Sequence, residues 1–461
     1  MITRINRRAF VQAAAGGAAA WWILGNSRSV RAYQANEKLN LAVVGVGSRG
    51  SHLARVVRRL EQNLVALCDV DLRRAEPWRE QEPEVPWYWD FRVMLDELDE
   101  RLDGVMAALP FHTHAAVAAA AIRQGKHVYV EKPIGHHISE LVGLRQLAAE
   151  QGVATQMGNQ GMATDSFRRT VELVRQGAAG EIREAWLWHA GGGPGPRELP
   201  TGEQPVPEGL DWDLWLGPRA ARPFHQGWLS WWPWREFSSG SLGGWGSHAA
   251  NMIFMGLRLG ALWGTDGQAE GTIQVRAEPS DVCENCHPRR ETTEFDIPAR
   301  GDLPPVRIRW FLAPRGELEE RGIWKTLEEL AGRPPIMEGS WTPESGSMLA
   351  GSRGVVHTNS HNSVCHLLPE EEFPQATEPP QELPRVRGHK PEWMDACRGT
   401  ATPISNIDHS GPMMEMLYLS HVAGLFPEQT LEYDPKQSRI VNLEEANRWL
   451  TWPRRENWEL F

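Results

Sequence analysis

A glycine-rich turn between two apolar runs is the strongest chemical signal in this sequence. Gly45, Gly47 and Gly50 form a Gly-x-Gly-x-x-Gly pattern directly after the apolar run 39–44. In this pattern the first glycine permits a tight turn, the second lets the backbone approach a pyrophosphate, and the third lets a helix pack on the strand. Because the next apolar run ends in an acid, Asp69, the spacing predicts a dinucleotide-binding βαβ unit.

The residues beside this turn indicate which dinucleotide is bound. Ser48 and Arg49 open the helix whose free N–H groups would face the phosphate oxygens. The carboxylate of Asp69 is placed to accept hydrogen bonds from the adenosine ribose. Arg73 and Arg74 are candidates to hold a 2′-phosphate, but Asp69 would repel that group. The sequence therefore predicts NAD as the cofactor, in preference to NADP.

The elements that must position these residues alternate between strand and helix over residues 38–160. This pattern predicts a doubly wound Rossmann domain of the α/β class. Ligands of such sheets bind outside the carboxyl ends of the strands. The residues at these ends that we predict to contact the nucleotide are Pro110, His112, His114, Glu131, Lys132 and Gln160.

A different pattern follows in residues 161–461. Strand-like runs at 181–189, 271–275, 306–311 and 354–358 predict a C-terminal α/β domain with a large open, mostly antiparallel sheet. The polar and proline-bearing segments 276–305 and 312–345 are predicted to be insertions. Seven tryptophans crowd one part of this domain and are candidates to wall a pocket for a sugar ring, although core packing is the commoner role: Trp212, Trp215, Trp228, Trp231, Trp232, Trp234 and Trp245.

The N-terminus has the features of an export signal. Arg7 and Arg8 precede a small-residue apolar stretch at 13–24, and 30–32 offers small side chains for a signal peptidase. Residues 1–32 are therefore predicted to be a twin-arginine signal peptide, which implies a periplasmic or otherwise exported protein. The apolar stretch is short for a bilayer span, so we expect no stable membrane span after processing.

Composition argues against several other classes of protein. The 461 residues carry a net charge of −11 with acids and bases interspersed, which gives no basic patch for nucleic acid. Cys283, Cys286 and His287 match the C-x-x-C-H pattern of haem attachment, but covalent haem requires export of an unfolded chain. A local disulfide or two free thiols is the expectation there, and no metal site is predicted.

A series of short motifs along the chain resembles one protein family. They lie at 45–50, 68–71, 110–114, 125–128, 131–133, 157–161, 212–218, 246–248 and 406–412. In this order they resemble the Gfo/Idh/MocA oxidoreductases, which include glucose–fructose oxidoreductase and inositol dehydrogenase, and most closely the exported bacterial branch. The resemblance implies an NAD(P)-binding Rossmann domain and a C-terminal domain that binds substrate and whose open sheet forms an oligomer interface. It therefore implies a homo-oligomer.

The resemblance also assigns catalytic residues. Lys132 matches the lysine that contacts the reacting hydroxyl, and His248 matches the histidine base. Gly244, however, stands where an acid is expected four residues before that histidine. Because an imidazole base works best beside a carboxylate, we expect His248 to be a weaker base unless Glu236 or Asn251 takes that place.

Three functions remain open at this stage. The first is NAD-dependent oxidation of a carbinol in a sugar, cyclitol or glycoside. The second is redox-neutral cleavage of a glycoside, in which transient oxidation acidifies a neighbouring C–H, elimination breaks the glycosidic bond, and the hydride is returned. The third is a non-catalytic protein that binds nucleotide or glycan, which only Gly244 favours.

Overall fold

A parallel sheet forms the N-terminal part of the molecule. The computed structural model describes residues 38–332, 345–370 and 381–461. The strands of the first sheet are β1 (Asn40–Val44), β2 (Asn63–Cys68), β3 (Trp87–Tyr88), β4 (Gly104–Ala107), β5 (His127–Val130) and β6 (Thr155–Met157). They pair in the order β3-β2-β1-β4-β5-β6, and every pair is parallel. The order reverses between β1 and β4, which opens a crevice at the carboxyl ends where ligands bind.

Helices cover both faces of this sheet. They are α1 (Ser48–Arg59), α2 (Leu72–Gln81), α3 (Phe91–Leu98), α4 (Phe111–Arg123) and α5 (Ile138–Gln151). Strand alternation sends Leu41 and Val43 into the core under α1, whereas Ala42 and Val44 pack with the helices of the other face. The predicted doubly wound Rossmann domain is therefore confirmed.

The second sheet is mixed and mostly antiparallel. Its strands are β7 (Ile182–His189), β8 (Ile273–Pro279), β9 (Glu291–Ile297), β10 (Val306–Leu312), β11 (Ser345–Gly351), β12 (Val355–Asn359), β13 (Cys365–Leu368), β14 (Leu431–Asp434) and β15 (Arg439–Ile440). Within the described ranges they pair in the order β13-β12-β11-β7-β10-β9-β8-β14-β15. Only the pairing of β7 with β10 is parallel, so the predicted large, mostly antiparallel sheet is confirmed.

The prediction that residues 276–305 form an insertion is wrong, because strand β9 lies inside this segment and pairs with β8 and β10. Its inward positions include Glu291 and Thr293, both buried. Thr293 Oγ1 lies 2.7 Å from Ser420 Oγ, and Ser420 Oγ donates to Glu291 Oε1, so both residues have a hydrogen-bond partner on the facing helix α14. Polar residues at core positions hid the alternation that would have identified the strand.

The remaining helices are α6 (Asp165–Arg175), α7 (Trp212–Leu216), α8 (Gln226–Leu229), α9 (Ser247–Ala249), α10 (Asn251–Gly256), α11 (Arg315–Glu320), α12 (Ile323–Ala331), α13 (His389–Cys397) and α14 (Ile407–Ala423). Helices α11 and α12 fall in the segment predicted as the second insertion. Leu318 and Leu327 from them pack on Trp186 and Trp188 of β7 and cover one face of the second sheet.

Helix α13 returns the chain to the first sheet. Trp393, Met394 and Cys397 join the core that α1 forms with β1, β4 and β5. A Cβ added at Gly104 of β4 would meet the indole of Trp393, so this helix packs closely on the sheet. A segment far along the chain therefore completes the α1 face of the Rossmann domain.

The predicted signal peptide at 1–32 lies outside the described residues. Among the helices of residues 38–332, 345–370 and 381–461, none combines the length and apolar character needed to cross a bilayer.

Candidate active site

The glycine turn adopts the geometry that its sequence requires. Gly45 has a φ of 79°, and a Cβ there would meet the carbonyl oxygen of Ala108, the residue that follows the neighbouring strand β4. A Cβ at Gly50 would collide with the carbonyl of Gly45. Helix α1 begins after Gly47 without a side-chain cap and without an acid in its first turn. Its first N–H groups are therefore available to an anion, as a pyrophosphate site requires.

Asp69 is tied to this turn. Its Oδ2 accepts a hydrogen bond from the Val46 N–H at 2.7 Å, and its Oδ1 accepts one from the Asp71 N–H at 3.0 Å. Burial raises the pKa of Asp69, and these two donors oppose the shift. A carboxylate offers about four acceptor positions, so two remain for ribose hydroxyls. The two arginines considered for a 2′-phosphate instead pair with Asp71, Arg73 at 2.7 Å and Arg74 at 3.4 Å.

We expect Asp69→Ala to weaken NADH binding by about 10- to 100-fold and to narrow the preference over NADPH, because hydrogen bonds to a charged group contribute about 1.5–3 kcal/mol. Glu76→Ala removes an exposed acid from the adjacent helix and is the matched control; it should leave both affinities unchanged. Titrations followed by tryptophan fluorescence measure the dissociation constants. Equal or tighter binding of NADPH by the unmodified protein would contradict the assignment of Asp69.

A cleft of about 770 Å³ lies where the carboxyl ends of the first sheet face the second domain. The residues that line it are Arg49, His52, Ala108, Leu109, Phe111, His114, Glu131, Lys132, Gln160, Gly161, Thr164, Trp231, Trp245, His248, His361, Ser363 and Lys390. It adjoins the glycine turn through Ala108, which Gly45 contacts. Its volume accommodates a ligand larger than a single sugar ring.

Lys132 enters this cleft from the end of β5. Its Nζ donates a hydrogen bond to the carbonyl oxygen of Gly244 at 2.7 Å and lies 5.9 Å from the centre of the Trp245 ring. Burial lowers the pKa of Lys132 to about 8; Glu131 opposes the shift and Arg49 adds to it. The ammonium is therefore charged at neutral pH and can release a proton at little cost.

His248 faces the same cleft from helix α9. Its Nδ1 has no hydrogen-bond partner among the described residues. Burial holds the pKa of His248 well below its usual value, and the charge of Lys132 adds to this effect. The imidazole is therefore neutral, which is the form that accepts a proton. The ring of His361 lies 4.4 Å away between centroids, and burial lowers its pKa to about 4.

The groups proposed to replace the missing acid do not contact the imidazole of His248. Glu236 pairs with Arg222 at 2.5 Å. The amide nitrogen of Asn251 donates to the backbone carbonyls of Ser247 and His248, both at 2.9 Å. Asn251 thus holds the backbone that carries His248 and leaves its ring unassisted.

The position of Gly244 explains why no acid stands there. Residues Leu242–Gly246 form a π-helical turn, in which the Ser247 N–H donates to the carbonyl five residues earlier. A π-helical turn contains one residue more than an α-helical turn, which changes the direction in which position 244 points. A Cβ at Gly244 would meet the indole of Trp232. The one-turn contact with His248 that a regular helix would allow is therefore not available.

We expect Gly244→Asp to lower stability and turnover instead of supplying a carboxylate partner, because overpacking costs roughly 1–3 kcal/mol. Adding Trp232→Ala should restore much of the lost stability, since it removes the ring that the new Cβ meets. Thermal unfolding and kcat of both single variants and the double variant measure this coupling. A Gly244→Asp protein with an unchanged Tm and a raised kcat would overturn the interpretation.

Other predicted contacts fall into two groups. Arg49 pairs with Glu131 at 2.7 Å and donates to the side-chain oxygen of Gln160, so these three form one network at the cleft. His114 also lines the cleft: its Nε2 accepts from the Leu109 N–H, so its Nδ1 donates to the carbonyl of Pro133 at 2.6 Å. It therefore joins the ends of β4 and β5.

His112 takes a different place. It is fully buried, and its Nε2 lies 2.9 Å from the carbonyl oxygen of Trp215. Burial lowers its pKa to about 3. It joins helix α4 to the tryptophan-rich segment and does not line the cleft. Asp69, Pro110, Ser48 and the three glycines also lie outside the cleft lining, and their contact with the nucleotide stays a prediction.

His361 and Lys390 are among the cleft residues that the sequence did not predict. His361 lies in the turn between β12 and β13, where the polar run 360–363 was the available signal. A Cβ at Gly161 would meet the carbonyl of His361, so this glycine lets the turn approach the site. Lys390 is the second residue of α13, and only the glycine that precedes this helix indicated its start.

The tryptophan cluster has mixed roles. Trp231 and Trp245 line the cleft, whereas Trp212, Trp215, Trp228 and Trp234 pack into a separate core.

Cys283 and Cys286 are free thiols, and the Cys286 N–H donates to Cys283 Sγ at 3.3 Å. Within the part of the chain that the structure describes, no group of three or more His, Cys, Asp or Glu side chains is arranged to hold a metal ion.

Comparison with known proteins supports NAD binding by the first domain. Residues 39–159 match the model of the Gfo/Idh/MocA oxidoreductase family, NAD-binding Rossmann fold, and so form an NAD-binding domain. A glycosyl hydrolase family 109 protein of Shewanella is 31% identical over 157 residues, 32% of this chain and 34% of the relative. Inositol 2-dehydrogenase 4 of Saccharopolyspora erythraea is 31% identical over 156 residues, 33% of this chain and 45% of the relative. The aligned part is thus less than half the length of each of these relatives.

Solved structures extend the likeness to most of the chain at the level of fold. Aldose-aldose oxidoreductase of Caulobacter crescentus has a TM-score of 0.52 at 14% identity and covers 88% of this chain and 100% of its own. The WlbA dehydrogenase of Bordetella pertussis, solved with NADH and UDP-GlcNAcA, has a TM-score of 0.54 at 12% identity and covers 84% of this chain and 97% of its own. Both domains therefore have the architecture of these proteins.

Proposed function

We propose that this chain, whose residues 39–159 belong to the NAD-binding Rossmann domains of the Gfo/Idh/MocA oxidoreductases, is an enzyme that oxidises a carbinol of a sugar, cyclitol or glycoside. The observation that carries the proposal is the convergence of Lys132 and His248 on one cleft beside the glycine turn. A charged donor and a neutral acceptor of protons are the two groups that removal of hydride from an alcohol requires.

Each residue has a definite task in this reaction. NAD, when bound, would supply the acceptor for the hydride that leaves the carbinol carbon. Lys132 donates a hydrogen bond to the carbinol oxygen and stabilises the negative charge that develops there. His248 is neutral and accepts the hydroxyl proton. Trp231 and Trp245 offer aromatic faces against which the C–H face of a sugar ring packs.

The second histidine favours a redox-neutral variant of this chemistry as an alternative. Elimination next to a transient ketone needs a base for the C–H proton as well as one for the hydroxyl proton. His248 and His361 lie close enough to serve one ligand, and both imidazoles are neutral. The likeness to a glycosyl hydrolase family 109 protein over the first domain supports the same alternative.

One experiment separates these functions. The purified protein is incubated with NAD and a panel of sugars, cyclitols and aryl glycosides, and NADH absorbance and released aglycone are followed together. Accumulation of NADH without aglycone supports oxidation. Release of aglycone without NADH, with solvent deuterium entering the sugar, supports redox-neutral cleavage. The absence of both signals, together with NAD binding, would favour a binding protein.

The location and assembly of the protein belong to the same proposal. The arginine pair at 7–8 and the apolar stretch after it support twin-arginine export to the periplasm. This pathway moves folded proteins, which lets the enzyme acquire NAD in the cytoplasm. In the redox-neutral alternative the cofactor is regenerated in each turnover, which suits a compartment without a nucleotide pool. The resemblance to a family in which this sheet commonly forms an oligomer interface supports a homo-oligomer.

A further inference from the structure

A buried lysine near the nucleotide domain has no role in the chemistry proposed above. Only 8% of the surface of Lys390 is exposed, yet this residue lines the cleft. Among the described residues its ammonium has no hydrogen-bond acceptor and no ion pair, and Nζ lies 5.6 Å from the centroid of the Tyr129 ring. A charge buried in this way is costly unless a partner compensates it.

The position of Lys390 follows from the packing of α13. Tyr129 points to the face of the first sheet that α1 covers, where it packs with Trp393 of α13. Gln156, the middle residue of the short strand β6, donates to the carbonyl of His389 at 2.7 Å, which places the start of α13 beside the carboxyl half of this strand. Arg49 near the start of α1 and Lys390 near the start of α13 line the same cleft, so both helices begin at the edge where we expect the nucleotide to bind.

The strand order shows which half of the dinucleotide lies there. Asp69 at the end of β2 marks the adenosine side, and the glycine turn after β1 marks the pyrophosphate. Moving along the sheet through β4 leads to β5, which carries Tyr129 under Lys390. Lys390 thus lies beyond the pyrophosphate, on the nicotinamide side.

The charges at the cleft agree with an anionic ligand. Its lining contains the cations Arg49, Lys132 and Lys390 and one carboxylate, Glu131, which already pairs with Arg49. Burial lowers the pKa of Lys390 to about 8, and Glu131 opposes the shift, so the ammonium stays charged at neutral pH. The two negative charges of a pyrophosphate would balance the excess positive charge of these side chains.

We propose that Lys390 binds the nicotinamide-side phosphate of NAD, so that helix α13 closes the nucleotide site from the C-terminal part of the chain. This inference rests on the NAD binding of the proposed function and deepens it, because a contact from α13 adds a phosphate ligand from outside the Rossmann sheet. It concerns binding alone, so its test does not depend on which substrate is oxidised.

The test uses the full chain and three ligands: NADH, ADP-ribose and AMP. Lys390→Met should raise the Kd of NADH and of ADP-ribose by about 10- to 100-fold, as expected for loss of a charge-assisted hydrogen bond. The same substitution should leave the Kd of AMP within about twofold of its value for the unmodified protein, because AMP has only the adenosine-side phosphate. Lys390→Arg should restore most of the affinity, and Lys325→Met, which removes an exposed charge, should change nothing.

Three results would overturn the inference. The first is a Kd for NADH within twofold of the unmodified value. The second is an equal loss for all three ligands, which would indicate a general disturbance of the domain and which Tm measurements would reveal independently. The third is an unchanged Kd for NADH with a raised KM for a substrate, which would assign Lys390 to the substrate. Absence of turnover in a protein that still binds NADH would refute the proposed function and leave the role of Lys390 standing.

Discussion

Replacing Lys132 by methionine is expected to lower turnover by about two to four orders of magnitude while NAD binding persists. Methionine keeps the length of the side chain and removes the ammonium that stabilises the developing alkoxide. The hydrogen bond from Lys132 to the Gly244 carbonyl also holds the charge at this place in the cleft. Steady-state kcat and the Kd of NADH measure the two effects separately.

The pH dependence gives a second measurement of the same role. The pKa of Lys132 is lowered to about 8 because the side chain is buried. Activity should therefore fall as pH rises through about 8, because the neutral amine no longer stabilises negative charge. Lys132→Met should remove this basic limb from what activity remains.

Lys126 provides the matched control, because it lies at the opposite end of β5 and is also largely buried. Its Nζ pairs with Asp99 at 2.8 Å, far from the carboxyl edge. Lys126→Met should leave kcat within a few-fold of the unmodified protein. A Lys132→Met protein with kcat in that same range would remove Lys132 from the mechanism.

The second large effect is expected at His248. His248→Asn removes the proton acceptor and should lower kcat by about two to four orders of magnitude. Because burial and the charge of Lys132 hold the pKa of His248 well below its usual value, the acidic limb of the pH profile should lie well below pH 6.5. Protonation below that limb removes the base, so activity should fall there.

Comparison with His361→Asn makes this test sharper. If one base suffices, as in simple oxidation, His361→Asn should lower kcat much less than His248→Asn does. If His361 removes the C–H proton in redox-neutral cleavage, the two losses should be comparable, and solvent deuterium should no longer enter the sugar. An unchanged kcat in His248→Asn would show that His248 is not the base.

Much of the fold was predictable because its signals are local. The turn at Gly45 needs a positive φ, and Gly50 needs room against a backbone carbonyl, so the residue types themselves reveal the turn. The apolar run of β1 and the placement of Glu131 and Lys132 after β5 follow from strand periodicity. Strand β9 was not predictable in this way, because the polar residues Glu291 and Thr293 occupy its buried positions and both contact Ser420, which is distant in the chain.

The sequence by itself determined the nucleotide turn, the doubly wound domain and the position of Lys132, since each depends on backbone conformation or periodicity within a few residues. The tertiary structure alone decided that His361 lies against His248, that Lys390 reaches the cleft, and that the π-helical turn directs position 244 at Trp232. These contacts join segments far apart in the chain. Packing between such segments depends on the shapes of both surfaces, which no local pattern of residues encodes.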